Sequence, residues 1–152
     1  MPIDVWEMNR PDGGARLWAC KVSVGAEIVF DSQNVSLRLK SKQAAEWLAR
    51  QVEKSHLICP VALLEPPVWA GDLNDDCRMM MGNLAAHAEW LSGPRRGGEW
   101  YCSVREAGGR VHFHTIDAPG IQPKSGAAAR WLCELILRLV VNGILEPVDR
   151  IR

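Results

Sequence analysis

Two histidines lie two residues apart in the segment His112-Phe113-His114, so both imidazoles fall on one face of a β-strand. Imidazole nitrogens are common ligands of zinc and other transition metals. The sequence therefore predicts that His112 and His114 supply two ligands of a metal site. Candidates for the third ligand are His56, His87, Asp117 and a cysteine. The alternative interpretation is a pair of solvated imidazoles opposite an apolar strand face.

Basic and aromatic side chains gather in the same part of the chain, as they do on nucleic-acid-binding surfaces. The members of this set are Arg95, Arg96, Tyr101, Arg105, Arg110, His112, His114 and Lys124. The whole chain is neutral, however, because its 18 Lys and Arg residues match its 18 Asp and Glu residues. Neutrality counts against a dedicated nucleic-acid binder and still allows a local basic surface. Binding of DNA or RNA through this face is kept as an alternative hypothesis.

The five cysteines carry no recognisable chemistry. None belongs to a C-x-x-C pair, so neither a zinc knuckle nor a dithiol redox motif is indicated. Cys20 and Cys102 occupy inward positions on apolar strands, and Cys133 lies in an apolar helix, which predicts small buried side chains. No nucleophile, base and oxyanion set is indicated elsewhere. The sequence therefore predicts a protein that is not an enzyme and needs no cofactor.

The elements that must position these residues occur in two copies. Residues 40–48 read Lys-Ser-Lys-Gln-Ala-Ala-Glu-Trp-Leu, and residues 124–132 read Lys-Ser-Gly-Ala-Ala-Ala-Arg-Trp-Leu. A Trp-x-Cys-x-Val strand pattern precedes each copy, at residues 18–22 and 100–104. Serine is a natural N-cap, and the apolar residues that follow have helical spacing. We predict two β-β-β-α repeats, the second with its third strand interrupted by Pro119, Gly120 and Pro123.

The predicted fold class is α+β, with antiparallel sheets and the helices on one face. Residues 1–55 form the first repeat, residues 56–94 an apolar linker and a bridging Met-rich helix, and residues 95–152 the second repeat. Together they are expected to form one compact domain. The bridging helix is inferred from a stripe with helical spacing that comprises Cys77, Met80, Met81, Leu84, Ala88 and Leu91. Asp72, Asp75 and Asp76 are expected to favour its positive N-terminal end.

The repeated segments resemble a known module, the AP2-like arm-type DNA-binding domain of phage and integrative-element tyrosine recombinases. The residues that carry the resemblance are Trp18, Val22, Gly25, Lys40, Ser41, Lys42, Ala45, Trp47 and Leu48, and more loosely residues 100–132. The resemblance implies a three-stranded sheet backed by one helix, with the outer face of the sheet docked on DNA. The outer strand faces of the first repeat are mixed in charge, whereas those of the family carry many Lys and Arg residues.

The leading functional hypothesis is a small non-enzymatic binding protein that acts through protein–protein contacts. Neutral charge and an apolar surface expected near Trp69 and Trp90 favour it. The resemblance adds that the protein is a phage or mobile-element accessory or inhibitor protein. No apolar run approaches the roughly 18 residues of a membrane span, and residues 1–4 open no leader, so a cytoplasmic protein without membrane contact is expected. The partner is an unidentified protein, and a homodimer is left open because the apolar second helix needs cover.

Overall fold

The computed structural model describes residues 2–8, 16–57, 68–91, 99–148 and 151. Its elements are β1 (Ile3–Met8), β2 (Leu17–Val24), β3 (Glu27–Asp31), β4 (Leu37–Leu39), α1 (Lys42–Leu57), β5 (Ala70–Asp72), β6 (Asp76–Met81), β7 (Leu84–Leu91), β8 (Glu99–Glu106), β9 (Val111–His114), β10 (Ile121–Pro123) and α2 (Gly126–Val141). One antiparallel sheet has the order β1-β2-β4-β10, with β3 also paired to β2, and the other has the order β5-β6-β7-β8-β9. The predicted α+β fold class is confirmed.

A short 3-10 turn follows the second strand of each β-β-β-α unit, at Ser32–Asn34 and at Thr115–Asp117. The Ser32 hydroxyl accepts a hydrogen bond from the Cys20 N–H at 2.9 Å. The Thr115 hydroxyl accepts one from the Cys102 N–H at 3.2 Å. Both hydroxyl residues are buried, so each bond satisfies a strand N–H that would otherwise be unpaired in the interior. The same local chemistry therefore stabilises the strand-to-turn junction in both units.

The helices begin at matched serines, as the sequence predicts. The Ser41 hydroxyl accepts a hydrogen bond from the Ala44 N–H and the Ser125 hydroxyl accepts one from the Ala128 N–H, both at 3.1 Å. Each bond satisfies one of the N–H groups that have no partner within the helix. Helix α1 packs on β1 and β2, and α2 packs on β7 and β8 while also touching α1. The apolar α2 is therefore covered from within the chain.

The two units meet where β4 pairs with β10 in antiparallel register. The Lys40 N–H donates to the Gly120 carbonyl at 2.8 Å, and the Lys124 N–H donates to the Ser36 carbonyl at 2.7 Å. The two donors are 84 residues apart in the sequence, and so are the two acceptors. Each bond is therefore the counterpart of the other in the opposite unit. This reciprocal pattern is the one that a local two-fold axis between the units produces.

The two prolines expected to interrupt the third strand of the second unit do not prevent it from forming. Pro119 lies in the turn before β10, and Pro123 is the last residue of β10, opposite Leu37. A proline is tolerated at such a position because only its own N–H is missing. In the first unit, Leu39 of β4 pairs with Trp18 of β2. Pro123 of β10 is the residue that corresponds to Leu39 in the second unit, and it has no N–H to donate to β8. Accordingly β10 contacts β8 without joining its ladder.

Aromatic stacking joins the two units across the core. Phe30 of β3 stacks on Trp131 of α2 with ring centroids 5.1 Å apart, and Phe113 of β9 stacks on Trp47 of α1 at 5.9 Å. Each phenylalanine thus packs on the helix tryptophan of the other unit. The buried apolar side chains form one cluster drawn from both units. Neither unit encloses its aromatic residues by itself.

The predicted bridging Met-rich helix is wrong, because the residues assigned to it form the β6–β7 hairpin. Met79 is buried and Met80 is 65% exposed, an alternation that belongs to a strand. Gly82, at a φ of 59°, opens the two-residue turn between the strands, a conformation that glycine adopts without steric cost. The Met79-Met80-Met81 run satisfies both periodicities, so spacing alone could not distinguish them. The predicted linker lies mostly at residues 58–67, outside the described residues.

Glu146 anchors the segment after α2 to α1. Its carboxylate lies 3.2 Å from Arg50 Nε and 3.2 Å from Lys54 Nζ, and it accepts a hydrogen bond from Gln51 Nε2 at 2.7 Å. The Gln51 Oε1 accepts one in return from the Glu146 N–H at 3.1 Å, and Gln51 is fully buried. Burial acts to raise the pKa of Glu146, but the hydrogen bonds from Arg50, Gln51 and Lys54 outweigh it, so the pKa is lowered.

Glu146→Ala is expected to lower the free energy of unfolding by about 1–3 kcal/mol at pH 7, because Gln51 Nε2 loses its partner in the interior. A carboxyl group whose pKa is lower in the folded state stabilises the fold above its unfolded pKa, and that contribution disappears as the pH falls. Urea unfolding should therefore show a larger difference between variant and wild type at pH 7 than at about pH 3. A smaller difference should persist at low pH, because the protonated carboxyl of Glu146 still accepts the hydrogen bond from Gln51 Nε2. Glu53→Ala, on the helix α1 that Glu146 contacts, is the matched control. An equal difference at both pH values would contradict the role of the charge.

Candidate metal centre

The strongest cluster of metal-ligating side chains in the described part of the chain lies on the β6–β7 hairpin. Asp76 begins β6 and stands opposite Glu89 of β7 in the ladder. His87 precedes Glu89 by two residues and so shares its face of the sheet. Ala86 and Ala88 point the other way, toward α2, and are buried. Strand pairing thus places one imidazole and two carboxylates together on the outer face of the second sheet.

The ligand atoms of Asp76, His87 and Glu89 all lie within 4.8 Å of one another. His87 Nε2 is hydrogen-bonded to Asp76 Oδ1 and lies 3.9 Å from Glu89 Oε2. The three side chains are 49%, 25% and 26% exposed in chain order, so the cluster is open to solvent on one side. Two carboxylates therefore converge on the same ring nitrogen.

The carboxylates of Asp76 and Glu89 are not both balanced by the imidazole of His87. A ring nitrogen carries at most one hydrogen, so His87 Nε2 can satisfy only one carboxylate by donation. Asp76 and Glu89 are then two like charges held close together, which is unfavourable. A divalent cation between them would neutralise both carboxylates and accept the lone pair of a neutral imidazole. The cluster therefore has the charge and the donor types of a cation site.

The donor set of one nitrogen and two oxygens suits zinc, manganese or iron(II) better than calcium, which takes oxygen ligands in larger number. Zinc bonds to nitrogen and oxygen are about 2.0–2.2 Å long, so tetrahedral donors lie roughly 3.4 Å apart. Side-chain rotations that move the donors by about an ångström would close the cluster to that geometry. Three protein ligands leave at least one coordination position open.

His114 lies close to this cluster without joining it. In the ladder His87 is opposite Ser103, which is in turn opposite His114. Burial lowers the pKa of His114, and Arg105 and His87 lower it further against the opposing effect of Asp117 and Glu89. Its Nδ1 accepts a hydrogen bond from the Ile116 N–H at 3.0 Å, so the neutral ring carries its hydrogen on Nε2. In this arrangement His114 is a neutral neighbour of the cluster.

The predicted metal pair is engaged in other contacts. His112 Nε2 lies 2.7 Å from Glu106 Oε1, and His114 caps the 3-10 turn that follows β9. Among the described residues, no group of three potential ligands includes either histidine. Metal binding by His112 and His114 stays a prediction, and the geometry points to the neighbouring hairpin instead.

The predicted nucleic-acid set is divided by the fold. Tyr101 is buried and its hydroxyl donates to Glu99 at 2.9 Å, while Arg105 and Arg110 are exposed. Lys124 lines a separate cavity beside β4. Arg95 and Arg96 lie outside the described residues. Carboxylates that repel phosphate are interleaved with the basic side chains on this sheet, so binding of DNA or RNA stays a prediction without added support.

The two tryptophans predicted to form a contact surface differ in exposure. Trp69 is partly buried against the core, and its indole N–H is buried with no hydrogen-bond partner in the described part of the chain. Trp90 is 38% exposed and lies against Trp100, with ring centroids 5.7 Å apart. Only Trp90 offers an exposed ring, so the pair does not make one continuous aromatic surface.

The described cysteines are buried, as predicted for Cys20, Cys102 and Cys133. Burial raises the pKa of Cys20 to about 12, and burial also raises that of Cys102, whose sulfur lies 2.8 Å from Cys133 Sγ. Thiols with raised pKa are poor nucleophiles and poor metal ligands. Cys59 lies outside the described residues.

The sequence names His87 as a possible third ligand, but it does not indicate Asp76 and Glu89 as its partners, because the segment has helical spacing. In a helix, Asp76 and His87 are eleven residues apart and about three turns distant. In the hairpin, the turn at Gly82 brings them together. A usable signal was present in His87-x-Glu89, which puts two ligands on one face of a strand.

Comparison with protein-family models, with curated proteins and with solved structures finds no match to this chain. The resemblance of the repeats to the AP2-like arm-type domain therefore stays a prediction. Among the described residues, no helix combines the length and the apolar character needed to cross a membrane.

Proposed function

We propose that the protein is a non-enzymatic, metal-dependent binding protein that holds one divalent cation at Asp76, His87 and Glu89. The observation that carries the proposal is the convergence of two carboxylates on a single imidazole nitrogen, within 4.8 Å. A paired antiparallel hairpin holds the backbone of these residues in register, so the ion needs to order only their side chains. On the outer face of the sheet, the bound cation would be the feature that a partner recognises.

The partner we propose is a protein that supplies a donor group to the open coordination position. The site lies on a sheet face, and none of its ligands lines either of the cavities described below. The described thiols are buried, so they do not offer a nucleophile beside the ion. Met80 is 65% exposed on the same face, two strand positions beyond Arg78, and provides an adaptable apolar contact. These features favour docking over catalysis.

The proposal is tested by titrating the chelator-treated protein with zinc, manganese and iron(II) in a calorimeter. We expect saturable binding of one ion per chain, tighter for zinc than for magnesium in a parallel titration. The double variant Asp76→Asn with Glu89→Gln keeps the shape of the site, removes both charges and should abolish binding. Asp75→Asn with Glu53→Gln removes two other carboxylates and should leave binding unchanged. Absence of saturable binding by any of the three metals would refute the proposal.

A further inference from the structure

Two surface cavities flank the pairing of β4 with β10, one in each unit. The first has a volume of about 350 Å³ and is lined by Trp18 and Ser32, beside the point where β2 pairs with β4. The second has a volume of about 280 Å³ and is lined by Trp100 and Thr115, the counterparts of those residues in the other unit. The cavities are therefore equivalent positions of the two units.

Each cavity is lined in part by one lysine of the opposite unit. Lys124 lines the first cavity and Lys40 lines the second. The same residues donate their N–H groups across the joint, to Ser36 and Gly120 respectively. The backbone pairing that joins the units thus also places a cationic side chain at each cavity. Each cavity is therefore formed by residues of both units, next to the pairing of β4 with β10.

The two cavities differ in charge. Arg38 accompanies Lys124 in the first cavity, and no carboxylate is among the described residues that line it. Gln122 stands in the second cavity where the first has Arg38, and Glu99 stands where the first has Leu17. In the described part of the chain, neither Arg38 nor Lys124 forms an ion pair with a carboxylate. The first cavity is therefore cationic, while its counterpart contains charges of both signs.

One side of the first cavity has an apolar wall. Met8, Leu17 and Trp18 contribute to it, and Gln33 Nε2 contacts the Met8 sulfur at 3.6 Å. A volume of about 350 Å³ lies within the range of about 300–1,000 Å³ that is usual for small-molecule sites. Two cations without carboxylate partners beside an apolar wall match a ligand with one negative group and one apolar arm.

We propose that the first cavity binds a small amphipathic anion, an organic carboxylate or phosphate with an aromatic or aliphatic arm. Arg38 and Lys124 hold the charged group, and the arm packs on Leu17 and Trp18. Arg38 binds both oxygens of a planar carboxylate through its fork of N–H donors, and Lys124 adds a point charge from the other unit. The second cavity lacks this selectivity because Glu99 opposes an anion there. The proposal does not depend on the metal centre.

The test uses three probes with one arm, namely 2-naphthoate, 2-naphthyl phosphate and uncharged 2-naphthylmethanol, followed by amide chemical-shift titration of the full chain. We expect the anions to bind at least about tenfold more tightly than the alcohol, with shifts at the first cavity. The tighter of the two anions identifies the ligand as a carboxylate or a phosphate. Equal binding of all three probes would overturn the proposal.

Two variants assign the charges. Arg38→Gln installs the residue that the second unit carries at the same position, and Lys124→Gln removes the other cation. Each is expected to weaken anion binding by about tenfold and to leave binding of the alcohol unchanged. Lys40→Gln, at the second cavity, is the matched control and should change neither. Thermal unfolding of each variant verifies the fold. Anion binding that survives in both Arg38→Gln and Lys124→Gln would contradict the proposal.

Discussion

His87→Ala is expected to lower the zinc affinity of the protein by more than about 100-fold, beyond the 10–100-fold that loss of an outer-shell partner causes. His87 supplies the only nitrogen of the cluster, and its removal leaves two carboxylates with no fixed third donor. Calorimetric titration of zinc measures the change. The fold should be retained, because His87 is only partly buried on the outer face of its sheet.

The matched controls are the other histidines of the described chain. His56→Ala, on the exposed end of α1, and His112→Ala, which releases Glu106, should leave the zinc affinity within about twofold of the wild type. His114→Ala should have a small effect, because His114 is a neutral neighbour that contributes no ligand atom to the cluster. A large loss in His112→Ala and His114→Ala with none in His87→Ala would place the metal at the pair predicted from sequence.

Phe113→Ala is expected to lower the free energy of unfolding by about 3–5 kcal/mol, the range for removal of a buried phenylalanine. Phe113 is 1% exposed and stacks on Trp47 of the other unit, so its loss opens a cavity in the shared core. Urea unfolding measures the change. Val111→Ala on the same strand is the control, because Val111 is 43% exposed, and it should change the stability by less than about 1 kcal/mol.

The same contact predicts how the chain unfolds. A double-mutant cycle of Phe113→Ala with Trp47→Ala should give a coupling of about 0.5–1.5 kcal/mol, because the two rings stack across the units. A fragment of residues 1–57 should be unfolded, since Phe30 would lose Trp131 and Trp47 would lose Phe113. Cooperative thermal unfolding of that fragment would show that the units are independent and would contradict the shared core.

The parts of the fold that depend on local chemistry could be predicted from the sequence. The matched serines cap both helices, and the Cys and Val residues of the two Trp-x-Cys-x-Val patterns are buried as expected. The expected inward and outward alternation is incomplete, because Ala19 in β2 and Tyr101 and Ser103 in β8 are buried as well. The match between the two copies strengthened each prediction, because a pattern that recurs in order is a signal of structure. The burial of Cys20 and Cys102 followed from the same two patterns.

The parts that depend on tertiary pairing could not be predicted. The run at Met79–Met81 is compatible with both helix and strand, and its pairing with β7 decides the outcome. The metal centre was lost with that assignment, because Asp76 and His87 become neighbours only across a hairpin. The cavity beside Arg38 depends on the register between β4 and β10, which no local pattern encodes.

The position of a bound zinc ion would show whether Asp76, His87 and Glu89 form a metal site. Crystals grown with zinc and measured at the zinc absorption edge would give an anomalous difference map. We expect one peak on the β6–β7 hairpin, about 2.0–2.2 Å from His87 Nε2 and from one oxygen each of Asp76 and Glu89. A map with no peak among these three side chains, or with its peak at His112 and His114, would contradict this expectation.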